Sequence, residues 1–569
     1  MHYSRARRVL SGLGAALLAF EPLSSFAQQP LPPVRSDSLP QNGQVTAGAA
    51  SIATSGTADA PALSITQTSQ RAAISWSSFN LGSNATINFS QPDASSVTLN
   101  RVQSSDASQI FGRISANGQV YLINPYGVYF GPTASVDVGG LVATTMTMSD
   151  EEFMAGSTTF RRNGAKGFVT NDGTLTAGVG GYIALLAPEV QNAGVIVAKA
   201  GTVALAAGDA VALNVDPNNS LTSILASPST VGALIENHKI IKAPDGQVVV
   251  SAQAYNELTS GVIKNSGTIS AKGISSKGGM ITLGASDRIE QTGKLNVSSK
   301  GGSGGKVSLS AKTITQGGSI NASSKASGGK GGTVEITGDS IRLASTSAIN
   351  ASGPAGGGTV LVGGDYQGSN GVYQAKKVTM DQGAIIDASA TQNGNGGKVV
   401  LWSDIQNADS LTSFSGTILA SGGFQGGDGG QVETSGHDLN VTETARVDAS
   451  APHGTAGGWL LDPFDVTISS NATTGVIANN ATATGANVNV TALQNSANAA
   501  AVTITTGSGG TQTGNITVAN DISLNSANLL TLDAHGSVIL NANITQAGSG
   551  GLTLYSRVSG GFRVAATSR

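Results

Sequence analysis

Seven times between residues 269 and 460 the chain repeats one phrase. An apolar residue, any residue and Ala-Ser come first, and Gly-Gly-x-apolar follows 11 to 14 residues later. The anchors are Ile269, Leu295, Ile320, Ile349, Ile386, Ile418 and Val447, with departures such as Lys272 and Val297 in the later slots. The second apolar positions read Ile281, Val307, Val334, Val360, Val399, Val432 and Leu460. Successive anchors stand 25 to 37 residues apart, so the strands are kept while the turns between them vary in length. A unit with two or three short strands cannot bury its few apolar residues alone, whereas stacked on a neighbour it closes a continuous inner column. Bulging turns cost such a stack little extra closure entropy. An antiparallel sandwich would need hairpins within each repeat, but the likeness runs from repeat to repeat, which argues for pairing between them. We therefore expect an all-β fold, an elongated right-handed parallel β-helix after a cleaved signal peptide. A shorter period of 20 to 21 residues, with Ile183-Ala184-Leu185 answered by Val203-Ala204-Leu205, extends the pattern upstream. Roughly 20 coils at about 4.8 Å each would make a rod of about 100 Å.

Composition agrees with a thin core. Only 11% of the chain is charged and 4% aromatic, while 77 residues are Gly, so there are few large side chains to fill a thick interior. The formal net charge of -3 makes no electrostatic case for nucleic acid or an anionic membrane as partner. Cysteine is absent, which leaves hydrogen-bonded ladders and stacked apolar side chains to hold an exported chain. Export is expected from the N-terminus: Arg5, Arg7 and Arg8 precede an apolar run from Val9 to Phe20, and Ser25-Phe26-Ala27 forms a small-residue cleavage site. That apolar run is too short for a spanning helix.

Upstream of the repeats, Asn124-Pro125-Tyr126-Gly127 stands between Val120-Tyr121-Leu122-Ile123 and Val128-Tyr129-Phe130. Pro125 presets φ at the first central position, the Asn124 side chain can bond forward, and Gly127 suits the exit of a type I turn. The β-branched and aromatic flanks read as strands. Together with Trp76, Phe79, the run Leu99-Asn100-Arg101-Val102 and the approach Ser115 to Val120, this stretch from Ile74 to Thr145 resembles the N-terminal secretion domain of the filamentous haemagglutinin family. Those are the large exoproteins of two-partner secretion. One position departs: Tyr126 stands where the family motif has a second Asn. The resemblance implies a partner, an outer-membrane transporter whose POTRA domains recognise the N-terminal domain. It also implies export by Sec and then across the outer membrane of a Gram-negative bacterium. At the cell surface or after release, the exoprotein would act as an adhesin or haemagglutinin on a host cell-surface receptor or glycan. The alternative it implies is acquisition of haem or haemopexin by the same route.

On this reading residues 1–27 are the signal peptide and 28–262 the secretion domain with the first coils. Residues 263–470 are the seven Gly-rich repeats, and 471–569 continue the solenoid in an Asn/Thr/Ala-rich form, with a longer exoprotein expected beyond. The string from Gly457 to Asp465, with Trp459 at its centre, marks the end of a repeat block, as it does in the family it resembles. After each anchor a polar column is expected at Ser270, Asn296, Asn321, Asn350, Asp387, Leu419 and Asp448, an Asn ladder included. The stretch Ser149 to Gly156 could make one helical turn but reads first as a loop. Catalytic signals are missing: five scattered His residues have no metal-ligand spacing, and no phosphate loop or nucleophile elbow stands in a strand-to-helix setting. The pairs Asp462 with Asp465 and Asp404 with Asp409 are the ones a carbohydrate-active β-helix enzyme would use, and they read as turn and surface residues. Neither an enzyme nor a cofactor is expected.

Overall fold

The computed structural model describes residues 31–216, 220–256, 258–274, 278–470, 486–506, 513–558 and 561–564; the expected export signal lies outside them. Each coil crosses three long sheets in turn. Starting from Lys294–Asn296, the chain turns through a Gly-rich corner into Lys306–Ser310, then into Thr313–Gln316, and a second Gly-Gly leads to Ser319–Asn321 one coil on. Every one of these strands pairs in parallel with its counterpart in the next coil. The sheet entered from the Gly-rich corner has 18 strands, from Gln44–Ala47 to Leu552–Ser556. We call it the first sheet, the one holding Thr313–Gln316 the second, and the one holding Ser319–Asn321 the third.

The register shows why the repeat is what it is. The residues Ile241, Ile269, Leu295, Ile320, Ile349, Ile386, Ile418 and Val447 are consecutive partners up the third sheet, all buried. Across the interior, Val248, Ile281, Val307, Val334, Val360, Val399 and Val432 form the matching column of the first sheet. Its next member corrects the sequence reading: Trp459, not Leu460, pairs with Val432 and is fully buried. Gly458 takes the place that a variable residue holds in earlier repeats, opposite Gln431, so the apolar slot falls one residue early. The Gly-Gly corner is required by close approach of neighbouring coils. An added Cβ would stand 1.7 Å from the Ala322 carbonyl oxygen at Gly304 and 2.1 Å from that of Gly279 at Gly305.

The polar column after the anchors also forms in register, but its side chains do not ladder from coil to coil as expected. Asn296, Asn321, Asn350, Asp387 and Asp448 each turn back to accept the backbone N–H two residues on, at 2.9–3.0 Å. An amide ladder exists elsewhere, inside the second sheet. Asn171 donates to Asn192, Asn192 to Asn237, Asn237 to Asn265 and Asn265 to Gln291, at 2.5–2.8 Å, all of them buried. Gln316 continues that position, after which it becomes Leu343, Met380, Phe414 and Val441.

Two additions modify the stack near its start. The hairpin Ala50–Thr57 and Ala60–Gln67 is antiparallel, as is the pairing of Gln44–Ala47 with Arg71–Trp76, so the first coils begin under a lid of different geometry. On the outer face of the first sheet, a small antiparallel sheet of Thr159–Arg161, Ala210–Val215 and Leu221–Ser227 covers a second apolar cluster.

Candidate functional site

The turn Asn124-Pro125-Tyr126-Gly127 is the corner at which the chain leaves the first sheet for the second, between Gln119–Ile123 and Val128–Phe130. Asn124 is fully buried and organises it. Its Nδ2 donates to the Asp106 carbonyl (2.9 Å) and the Ser108 hydroxyl (3.0 Å), while its Oδ1 accepts from the Tyr126 N–H (3.0 Å). The Asn124 carbonyl accepts from the Gly127 N–H (3.0 Å), closing the turn, and the Gly127 carbonyl accepts from Ser108 in the coil below (3.0 Å). Gly127 has φ +133, and a side chain there would press on Phe168 at 3.3 Å. Its two demands, open φ and close packing, explain why Gly stands there. Pro125 is half-buried, and Tyr126, 55% exposed, points away from every one of these bonds.

The other motif residues sit on the neighbouring strands Arg71–Trp76 and Val97–Val102, on both sides of the sheet, with Phe79 three residues past the first of them. Trp76 lies inside, edge-on to Phe79 with ring centroids 5.6 Å apart, and its Nε1 donates to Asn100 Oδ1 (3.0 Å). Asn100 is therefore a buried polar residue in an apolar column, satisfied by the indole and by the Tyr121 carbonyl. Val102 packs in the same core, whereas Leu99 points outward into the second cluster. Arg101 also points outward, to Asp150 and to the Met148 carbonyl.

That outward contact reaches the stretch expected as a loop or one helical turn, and the helical turn is what forms. Asp150–Met154 is a helical turn with a capping box, the Ser149 hydroxyl accepting from the Glu152 N–H and the Glu152 carboxylate accepting from the Ser149 N–H. The Ser-x-x-Glu pattern was the signal for it. Phe153 plugs this turn into the outer cluster beside Tyr121, and the Arg71 guanidinium lies over its ring at 5.1 Å. Tyr121 and Tyr182 share a hydrogen bond of 2.7 Å, and burial raises both phenols above their ordinary range. The corner and the outer cover are thus tied to the same few strands.

A second built feature was not legible in the sequence. The segment 363–376 crosses the outer face of the first sheet over Leu361, Val400 and Trp402. The Trp402 indole donates to Gln374 (2.9 Å), Lys398 pairs with Asp365 (2.6 Å), and the Gln367 N–H donates to Glu433 Oε2 (2.9 Å). Glu433 is fully buried, with the Ser435 hydroxyl on its other oxygen (2.9 Å). Burial, reinforced by the charges of Asp462 and Asp365, raises its pKa to about 7 against the donated hydrogen bonds.

The carboxylate pairs named from the sequence are engaged separately. Asp404 caps the N–H of Gln406, and Asp409 lies exposed in the same turn. Asp462 accepts from Thr505 (2.9 Å) and Asp465 from the Asn515 N–H (2.6 Å), each bonded to a later coil. Among the described residues there is no group of three His, Asp or Glu that could hold a metal ion, and no helix long and apolar enough to cross a membrane.

Comparison with known proteins points to the region around the corner. Residues 36–297 match the model of the TPS secretion domain. Among solved structures, the chain is similar to the HMW1 secretion domain from Haemophilus influenzae, at 30% identity and a TM-score of 0.57. That likeness covers 74% of this chain and 100% of that one. Two proteins of Haemophilus influenzae named heme/hemopexin-binding protein are 32% and 27% identical over 44% and 41% of this chain. The matched stretch is 27% of each relative's length, so the chain covers about a quarter of them.

Proposed function

The chain belongs to the exoproteins that carry the TPS secretion domain, and from that premise we propose that it is exported to the cell surface through a partner outer-membrane barrel. The POTRA domains of that partner would recognise the N-terminal domain, with the corner at Asn124, Pro125, Tyr126 and Gly127 as the secretion motif and Trp76, Phe79 and Leu99 to Val102 as its framework. The observation that carries this reading is the buried Asn124, which binds two successive coils through one side chain at the motif's position. Such a corner is formed only when the first coils are, so it is suited to nucleate folding of the remainder as the chain emerges. Without ATP at the outer membrane, sequential coil formation would bias transport outward. The Sec route rests on the basic and apolar stretches of residues 1–27.

Beyond the outer membrane the rod would present its variable turns to a host receptor or glycan as an adhesin or haemagglutinin. A second reading, haem or haemopexin acquisition, is favoured by the names of the two relatives. Deleting the partner barrel is expected to leave the chain periplasmic and degraded; undiminished surface display would refute the route. Titration of the secreted protein with haem, followed by its absorbance spectrum, together with a haemopexin pull-down, separates acquisition from adhesion to cultured cells.

A further inference from the structure

The net charge of the chain conceals two blocks of opposite sign. Between residues 239 and 330 lie 11 lysines and 4 carboxylates, whereas between 331 and 470 lie 14 carboxylates and 5 basic residues. The division is clearest along the Gly-rich corner where the third sheet passes into the first. Seven consecutive coils meet there, those of the third-sheet strands Thr268–Ser270, Lys294–Asn296, Ser319–Asn321, Ala348–Asn350, Ile385–Asp387, Thr417–Leu419 and Arg446–Asp448. The first three carry Lys272, Lys300 and Lys325, all exposed and without an ion pair among the described residues. The fourth corner, residues 351–358, has no charge at all. In the last three, Asp387 and Asp448 end the third-sheet strands as these enter the corner, both half-buried, and Asp428 lies exposed where its corner leaves for the first sheet. Each of these carboxylates accepts a turn N–H on Oδ1, and none is in an ion pair.

Three positive coils, one neutral coil and three negative coils make a charge pattern that is complementary to itself when reversed. We propose that this corner is a homophilic seam, at which a second copy of the chain packs antiparallel with a two-fold axis at the neutral coil 348–358. In that arrangement Lys325 faces the partner copy at Asp387, Lys300 at Asp428 and Lys272 at Asp448, and the two-fold repeats each pair. A closed isologous contact of this kind uses the same patch twice. The seam spans about 29 Å at about 4.8 Å per coil. Exposed ion pairs each contribute little, so the association is weak in solution and gains strength where many rods stand on one surface. It is screened as salt rises, since the pairs lie in solvent. Ile274 and Phe424, 57% and 59% exposed, add apolar surface on the first and sixth of these corners.

The test is sedimentation of the secreted full-length protein at about 20 mM and about 500 mM NaCl. A dimer at low salt and a monomer at high salt are expected; a monomer under both conditions overturns the proposal. Lys300→Glu should weaken dimerisation at least tenfold, as should Asp428→Lys alone. The double variant Lys300→Glu with Asp428→Lys should restore it. These two residues lie four coils apart on one chain, so only contact with a second copy can reunite them. Loss without restoration overturns the antiparallel seam. If Lys300→Glu instead abolishes binding of dextran sulfate and the wild-type chain never dimerises, the lysine row serves an acidic polysaccharide and the seam is refuted. Far-UV circular dichroism of each variant checks that the fold is intact.

Discussion

Asn124 and Tyr126 are two residues apart in one motif and have opposite standing in the fold. Asn124, fully buried, spends its side chain on three bonds to two coils, while the Tyr126 side chain spends none. Removing the amide leaves the buried Ser108 hydroxyl without its donor, which costs roughly 1–3 kcal/mol for a buried group. Asn124→Ala should therefore abolish or strongly reduce secretion, and Tyr126→Asn should leave it unchanged, as read from the protein in culture medium. Equal secretion by both variants would show that the motif does not act through this geometry. The departure at Tyr126 was legible in the sequence; the expectation that it leaves secretion unchanged comes from its exposed side chain. Glu433 makes a different residue-scale prediction. Its folded pKa, about 7, lies above the ordinary 4.5, so the folded state holds its proton more tightly than the unfolded chain does. The resulting stabilisation is complete below the ordinary value and is lost as pH rises through about 7. It is on the order of 3 kcal/mol. Urea denaturation followed by tryptophan fluorescence should show lower stability at pH 8 than at pH 5, and Glu433→Gln should flatten that difference. A midpoint rising toward pH 8 in the wild-type chain contradicts the assignment.

At the scale of elements, the repeat phrase specified the interior well, because each anchor answers to one demand: an apolar side chain pointing inward at a fixed place in the coil. Ile269 to Val447 fall on that column without exception. The slip at Leu460 arose where Gly458 fills the variable residue's place and Gly457 is the last Gly of the corner, a change of one position that the strand period of two converts into the wrong face. The polar residues were harder to read. An Asn after an anchor and an Asn at the end of a second-sheet strand look alike in the sequence. The first points out and bonds within its own turn, whereas the second points in and has only the next coil's amide as partner. That inner ladder yields the element-scale prediction. Asn237 donates to Asn265 and accepts from Asn192, so Asn237→Ala strands two buried amides at once. A loss of about 2–4 kcal/mol follows, whereas Asn296→Ala, which frees only a half-buried Ser298, should cost about 1 kcal/mol or less. Paired denaturation curves would decide, and equal losses would contradict the ladder's role. The segment 363–376 escaped the sequence reading because it repeats nothing; its position is set by Trp402, Glu433 and Lys398, which belong to later coils.

For the whole molecule, parallel pairing between coils makes each strand depend on neighbours about 20 to 50 residues away. Such a stack can form one coil at a time behind a nucleus, and it must be open before it passes a barrel. Cysteine-free composition fits that demand, because a disulfide across coils would close a loop that cannot thread. Thr282 and Ser308 are register partners on the outer face of the first sheet, both half-buried, and neither belongs to the secretion motif. Paired strands stand about 4.8 Å apart, within reach of a disulfide. The double variant Thr282→Cys with Ser308→Cys should thus be retained in the periplasm of oxidising cells and released when a reductant is added during synthesis. Each single variant should be secreted normally, since one cysteine closes no loop. Retention that persists under reductant would mean that the substitutions disturb the coil itself. Normal secretion of the oxidised double variant would mean that the chain crosses with coils already formed, and the coupling of folding to outward transport would have to be abandoned.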